Sequence, residues 1–170
     1  MPAVYLSLGS NFQRENNLRD AVKLLTNEFG ELTISPVYRS APDNGEGEYY
    51  FNCCVGFNTD KPLATCRELF RQIENNLDRD RTIKTRVTID IDILLYGDAV
   101  STQDQSQLPH SDIIDKPYVL IPLADLAPDL IHPKVKKSIK QLVSEQRMAQ
   151  RKGIEIKMAA VMQMQEFNWG

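Results

Sequence analysis

The sequence lacks the common signatures of nucleotide binding and of nucleophilic hydrolysis. It has no GxxxxGK[ST] phosphate loop, no GxGxxG turn and no GxSxG elbow. Histidine is scarce, limited to His110 and His132, and no CxxC spacing accompanies them, so a structural zinc site has little support. The three cysteines are odd in number, and Cys53 and Cys54 are adjacent in an apolar, strand-like run. That usage predicts reduced core thiols in a cytoplasmic protein. No stretch approaches the roughly 20 apolar residues of a membrane span. Met1 to Tyr5 has neither a basic segment nor a long apolar core, so no signal peptide is expected. A net charge of −3 supplies no global attraction for nucleic acid or anionic membrane. Any anion site must be local.

What is present reads as one domain of 170 residues. Pro2 to Leu8 alternates loosely and stops at Gly9-Ser10-Asn11, a strand and a turn. Leu18, Ala21, Val22, Leu24, Leu25 and Phe29 follow helical spacing up to Gly30, a natural C-cap. Leu32 to Tyr38 reads as a second strand, Ala41 to Glu48 as a polar loop, and Tyr49 to Thr59 as a third strand. Pro62 opens a helix whose buried stripe is Leu63, Cys66, Leu69, Phe70, Ile73 and Leu77. Val87 to Tyr96 is a fourth strand, ending at Gly97-Asp98. The order β-α-β-β-α-β predicts an α+β, ferredoxin-like fold with an antiparallel sheet and two helices on one face. An RNA-recognition domain shares that order, but its third-strand stacking pattern is not found. Ser101 to Gln107 is a polar loop. Ile113 to Leu126 carries short helical turns broken by Pro117 and Pro122, and Val135 to Gln150 is an amphipathic helix. The tail from Ile154 to Gly170 fits a last strand, a helix or partial disorder.

The fourth strand is the most informative segment. Asp90 and Asp92 lie at i and i+2 and share a face, while Ile89, Ile91 and Ile93 load the opposite one. At about 3.4 Å of rise per residue the two carboxylates stand roughly 7 Å apart along the strand, and they repel unless a cation sits between them. Divalent ions carrying phosphate oxygens answer that need; a half-exposed strand with an acidic outer face is the plainer reading. Arg79, Arg81, Lys84 and Arg86 lie just upstream. They suit polyphosphate, or else form a solvated basic loop. Tyr50 and Asn52 share a face of the third strand, and an aromatic ring beside an amide suits a flat heteroaromatic ligand. An aromatic core residue and a loop-tying Asn would look the same. His110, in Leu108-Pro109-His110-Ser111-Asp112, is a phosphate donor or an ordinary loop histidine. Gly9-Ser10-Asn11 is a simple turn, or a place where backbone N–H groups meet an anion.

Several segments, in order, resemble one family. They are Leu8-Gly9-Ser10-Asn11, Tyr38-Arg39-Ser40-Ala41-Pro42, Tyr50-Phe51-Asn52 and Thr88 to Gly97, followed by Leu108 to Asp112 and Leu120 to Pro128. The pattern is similar to the 6-hydroxymethyl-7,8-dihydropterin pyrophosphokinases of folate biosynthesis. It covers about residues 3–133, leaving 134–170 as an extension. The resemblance implies a ferredoxin-like fold and transfer of a pyrophosphoryl unit from ATP to the hydroxymethyl group of the pterin, leaving AMP. It implies that Asp90 and Asp92 hold two Mg²⁺ ions. Tyr50 and Tyr118 would sandwich the pterin ring, with Asn52 and backbone groups from Ser40 and Ala41 to Asp43 reading its edge. Arg79, Arg81, Lys84, Arg86, His110 and Lys116 would contact phosphates, and Glu74 the nucleotide's ribose or base. ATP and pterin are the expected partners, with no nucleic acid or membrane, and the chain is expected to be a monomer.

The chain also departs from the pattern. The family usually carries an aromatic-Gly-Pro-Arg segment before the Asp strand, with Arg three residues ahead of the first Asp. Val87 takes that place here, Arg86 lies one residue earlier and the loop is shortened. A one-residue shift in a regular strand turns a side chain to the other face, so Arg86 serves only if a bulge re-aims it. Lys116 replaces a frequent Arg and lacks its planar fork. Gln105 stands where another Arg is common. These departures predict slow transfer with weak ATP affinity. The alternative is a divergent paralogue that binds pterin or nucleotide with weak or altered transferase activity.

Overall fold

The computed structural model describes residues 1–102, 107–151 and 161–170. Gln105 and the first part of the tail, 152–160, lie outside the described residues. The chain runs β1 (Ala3–Ser10), α1 (Arg14–Phe29), β2 (Thr33–Ile34), β3 (Tyr38–Ser40), β4 (Tyr50–Asn58), α2 (Leu63–Asn76) and β5 (Asp90–Tyr96). It continues through α3 (Asp112–Asp115), α4 (Pro117–Leu126), α5 (Ile139–Arg151) and β6 (Met162–Gln163). The sheet order is β5-β1-β4-β3-β6, with β2 also paired to β4, and every pairing is antiparallel. The expected βαββαβ core is therefore present.

Alternation divides the sheet into two dry faces. Val4, Leu6 and Leu8 of β1 and Cys53 and Val55 of β4 join Leu18 and Leu25 of α1 and Phe70 and Ile73 of α2 in one core. This is the expected pair of helices on one face. The opposite face is also covered. Cys54, Leu94 and Leu95 pack against Leu120 and Leu123 of α4 and Ile139 of α5. Two core layers make this a three-layer arrangement, and the open end of the second layer holds the candidate site. Burial pushes the Cys53 thiol up to about 12, consistent with an inert core residue.

Four segments differ from the sequence expectation, each for a local reason. The second strand is interrupted. Ile34 pairs with Val55 and Tyr38 with Asn52, so four steps on one side face three on the other, as in a β-bulge. Pro36 has no amide to donate, and Ser35 fills the gap by donating N–H to Cys54 O while its Oγ accepts Cys54 N–H, both at 2.9 Å. The fourth strand begins at Asp90, not Val87. Val87 instead accepts the amides of Asn11 and Phe12 and donates its own to Asn11 Oδ1 at 2.6 Å. Pro117 starts α4 at its first turn, where no amide is needed, but Pro122 sits inside the helix without ending it. The C-terminal helix starts at Ile139 rather than Val135. Ser138 and Gln141 form a reciprocal cap there, with Ser138 N–H donating to Gln141 Oε1 at 2.8 Å and Gln141 N–H to Ser138 Oγ at 3.3 Å. The end of the tail is a strand: β6 pairs Gln163 with Tyr38 and Met162 with Arg39 on the β3 edge.

Candidate active site

Two cavities share one wall, and that wall is Asp90 and Asp92. Both carboxylates lie on β5, the edge strand. Asp92 pairs with Ser7 and Asp90 with Gly9 of β1, on the face away from α1 and α2. Burial, then Asp90, Asp112 and Glu74, push the Asp92 carboxyl up to about 7. The charged groups that raise Asp92 are all acidic, and a cation bound at the pair would relieve that repulsion.

The first cavity, about 280 Å³, is built on the inner strands. Tyr50 and Asn52 project from β4, and Ser40, Ala41 and Asp43 from the end of β3 and its loop. Tyr118 comes from the first turn of α4. Asn52 is buried, and its Nδ2 donates to Ser40 Oγ at 2.8 Å. Beneath it, any Cβ at Gly9 would approach Asn52 Oδ1 to 3.3 Å, so the bare backbone of Gly9 makes room for the amide. Burial and Asp90 raise the Tyr50 hydroxyl pKa, and burial and Asp43 raise that of Tyr118. Both rings are neutral phenols at physiological pH. Two tyrosines and a fixed amide lining one cavity can stack a flat ring and read its polar edge.

The second cavity, about 470 Å³, opens at the β5 edge between α2 and the loop around His110. Arg67, Arg71 and Glu74 face it from α2, Arg81 from the following turn, and His110 from the loop after β5. His110 Nδ1 accepts the Asp112 amide at 3.2 Å, which leaves Nε2 as the ring's donor. Glu74 is buried and spends both oxygens internally. Oε1 accepts the Ile91 amide of β5 at 2.9 Å, and Oε2 pairs with Arg81. It braces β5 to α2 at the Asp pair. Burial outweighs these bonds and raises its pKa.

The structure thus gathers the expected ring-binding residues, Ser40, Ala41, Asp43, Tyr50, Asn52 and Tyr118, into one cavity. Glu74, Arg81 and His110 join the other. Lys84, expected with the phosphates, lines the first cavity instead. Arg86, Arg79 and Lys116 line neither. The Arg86 guanidinium lies 4.9 Å over the Phe12 ring, Arg79 donates Nη1 to Asp80 O at 3.3 Å, and Lys116 is paired with Asp43. No bulge re-aims Arg86, because the chain is not yet strand at that point. Asn11 fixes this loop, donating Nδ2 to Thr85 O at 2.9 Å; its own amide serves Val87 and is not offered to an anion. Sequence reasoning passed over Arg67 and Arg71. Their spacing with Glu74, at i, i+4 and i+7, places all three on one helical face, and that was the available signal.

Asp90 and Asp92 are the residues expected to hold a metal ion. Among the described residues no group of three or more His, Cys, Asp or Glu side chains is arranged to enclose an ion. Asp90 and Asp92, two carboxylates on one face of β5, could hold a hard divalent ion such as Mg²⁺, for which oxygen ligands are suited.

A model of the family described as 7,8-dihydro-6-hydroxymethylpterin-pyrophosphokinase (HPPK) matches residues 5–128. The pyrophosphokinase of Haemophilus influenzae is 32% identical over 139 residues, covering 78% of this chain and 86% of that protein. The Bacillus subtilis enzyme of the same name is 35% identical over 128 residues, covering 72% and 76%. The folic acid synthesis protein FOL1 of Dictyostelium discoideum is 34% identical over 134 residues, 76% of this chain but 20% of that longer protein. Wild-type Plasmodium falciparum HPPK-DHPS shares the fold with a TM-score of 0.68 at 16% identity, over 92% of this chain and 47% of that one. The matched residues include both aspartates, both tyrosines and the amide that form the two cavities. The chain belongs to the 7,8-dihydro-6-hydroxymethylpterin-pyrophosphokinase family.

Proposed function

We propose that this chain transfers the β,γ-pyrophosphoryl unit of ATP to 6-hydroxymethyl-7,8-dihydropterin, with Asp90 and Asp92 at the junction of the two substrates. One observation carries the reading. A cavity for a flat polar ring and a cavity lined by cations meet at the same pair of carboxylates. The pterin lies between Tyr50 and Tyr118 with its edge on Asn52, and its hydroxymethyl group points toward the Asp wall. The triphosphate lies beside Arg67, Arg71, Arg81 and His110. The hydroxymethyl oxygen attacks the β-phosphorus, the bond from that phosphorus to the α,β-bridging oxygen breaks, AMP leaves, and the hydroxyl proton passes to solvent or a phosphate oxygen. Such transfer depends on in-line positioning and charge neutralisation more than on a strong base. Asp90 and Asp92 would hold Mg²⁺, two ions being expected with ATP, and the bound metal neutralises charge on the phosphates. Arginines contribute the planar forks that match phosphate oxygens.

A slow variant of this reaction is the second reading, favoured by the position of Arg86 over Phe12 and of Lys116 on Asp43. Both would have to move to contribute to transition-state charge. Among the described residues no helix is long and apolar enough to cross a membrane; action as a cytoplasmic monomer is part of this proposal. The test is direct. Incubated with Mg-ATP and 6-hydroxymethyl-7,8-dihydropterin, the protein should produce AMP and the pterin pyrophosphate in equal amounts. Release of ADP or phosphate, or no product at all, would overturn the assignment.

A further inference from the structure

We propose that Asp43 is a positioning residue that links the two cavities, fixing Tyr118 as a wall of the first while withholding Lys116 from the second. This inference rests on the functional reading above. One carboxylate oxygen, Asp43 Oδ2, accepts hydrogen bonds from Lys116 Nζ at 2.7 Å and from Tyr118 OH at 2.8 Å. The acceptor belongs to the loop after β3 and the donors to the start of α4. The contact therefore bridges two walls of the first cavity, which Asp43 and Tyr118 both line. The loop presents the carboxylate from a closed turn, with Gly45 N–H donating to Pro42 O at 3.0 Å and Glu46 N–H to Asn44 Oδ1 at 3.1 Å.

Lys116 lines neither cavity, although Ser111 and Asp112 just before it line one each. The charges acting on it are Asp43, Asp112 and Asp115, all acidic, and they raise its pKa. Its ammonium is thus permanently charged and permanently attracted to the protein's own carboxylates. The pair with Asp43 is nonetheless weak, because the two side chains keep 33% and 46% of their exposure and water screens them. A triphosphate carries more charge than one carboxylate, and lysine swings a compact charge on a flexible stem. Nucleotide binding competes with Asp43 for this ammonium. A binding-competent lysine that is only partly populated lowers apparent affinity in proportion. Asp43 then keeps Tyr118 as its remaining partner, so ring position is preserved while the lysine moves.

The experiment is a double-mutant cycle read by titration calorimetry, with a non-hydrolysable Mg-ATP analogue and, separately, the pterin. Asp43→Asn should bind the analogue about two- to fivefold tighter and the pterin more weakly, because Tyr118 loses a charged acceptor. Lys116→Ala should weaken the analogue, and Asp43→Asn should change nothing further in that background. Mere removal of one negative charge would tighten nucleotide binding in both backgrounds, and that result would overturn the link. Unchanged or weaker nucleotide binding by Asp43→Asn would overturn it as well. Amide exchange at Gly45 and Glu46 gives a readout that needs no substrate. Faster exchange in Asp43→Asn supports the fixed loop, and unchanged exchange refutes it. A wild-type chain that binds neither ligand would instead refute the functional reading, while exchange still decides whether Asp43 holds the loop.

Discussion

Asp92 carries the clearest conflict between stability and function at the residue scale. Its folded pKa, about 7, lies above the ordinary 3.8, so the folded state binds a proton more readily than the unfolded chain. The resulting stabilisation is complete below about pH 4 and is lost as pH rises through about 7. Asp92→Asn should therefore stabilise the Mg-free protein above neutrality, on the order of 1 kcal/mol once coupling to Asp90 and partial exposure are discounted. The gain should vanish toward pH 4, while pyrophosphoryl transfer is abolished. Thermal melts across pH with chelator present check this; equal melting temperatures at pH 8 would count against it. Asn52 poses the opposite case. Its side chain is buried and tied to Ser40 at 2.8 Å, so its conformation is fixed before any ligand arrives. Asn52→Ala should cost pterin binding about 1–3 kcal/mol by leaving the ring edge unpaired, with nucleotide affinity nearly unchanged. Calorimetry with both ligands separates these outcomes.

Among the elements, α2 and the turn after it brace β5, which pairs along its length with β1. Glu74 supplies the acceptor for the Ile91 amide, between the two aspartates. Glu74→Ala strands that buried N–H and should cost about 1–3 kcal/mol in denaturant melts, together with loss of transfer. Glu74→Gln keeps the amide acceptor and should recover most of the stability. Equal stability of the two variants would show that the brace is unimportant. The basic turn makes a second, independent test. Arg81 lines the second cavity and Arg86 lies over Phe12, so Arg81→Ala should lower kcat/KM for ATP far more than Arg86→Ala. A larger effect from Arg86 would mean that the turn rearranges around the substrates. Much of this was legible in advance. Alternation placed Asp90 and Asp92 on one face, and the family resemblance grouped Tyr50, Asn52 and Tyr118, which line one cavity. The interruption at Ser35-Pro36 was not legible, because a bulge is defined by its partner strand and the Cys54 amide that repairs it is 19 positions away. Pro122 misled for a related reason, since tertiary packing of α4 between the sheet and α5 holds a helix that proline alone would end. Arg67 and Arg71 were passed over because the cavity they line is closed by the loop around His110, about 40 positions further along the chain.

The whole molecule joins its C-terminal end to the ring cavity through one strand. β6 adds to the free edge of β3, and the Met164 amide donates to Val37 O at 2.9 Å. Beyond it, Phe167 meets Phe51 edge-on at 6.2 Å, Trp169 packs on Phe167 at 4.5 Å, and Arg19 Nε donates to Asn168 O. Phe51 sits between Tyr50 and Asn52, pointing to the opposite face of β4. The tail thus covers the underside of the strand whose upper side lines the first cavity. Tyr38 ties the same β3 strand to α4 by donating to Asp125, so β3 is held from both sides, by the tail and by the helix that carries Tyr118. Removing residues 161–170 uncovers a strand edge and three partly buried apolar side chains, Met164, Phe167 and Trp169. The expected cost is about 2–4 kcal/mol of global stability. The loss should not be spread evenly over the two substrates. Ser40 ends β3 and the Asp43 loop follows it, whereas Arg67, Arg71, Arg81 and the Asp pair stand on α2, the turn after it and β5 at the far side of the sheet. At a temperature where the shortened chain remains folded, pterin affinity should fall by several-fold while affinity for the Mg-ATP analogue stays near that of the full chain. Equal losses for both ligands would show that the tail stabilises the fold as a whole and does not position the β3 side of the ring cavity.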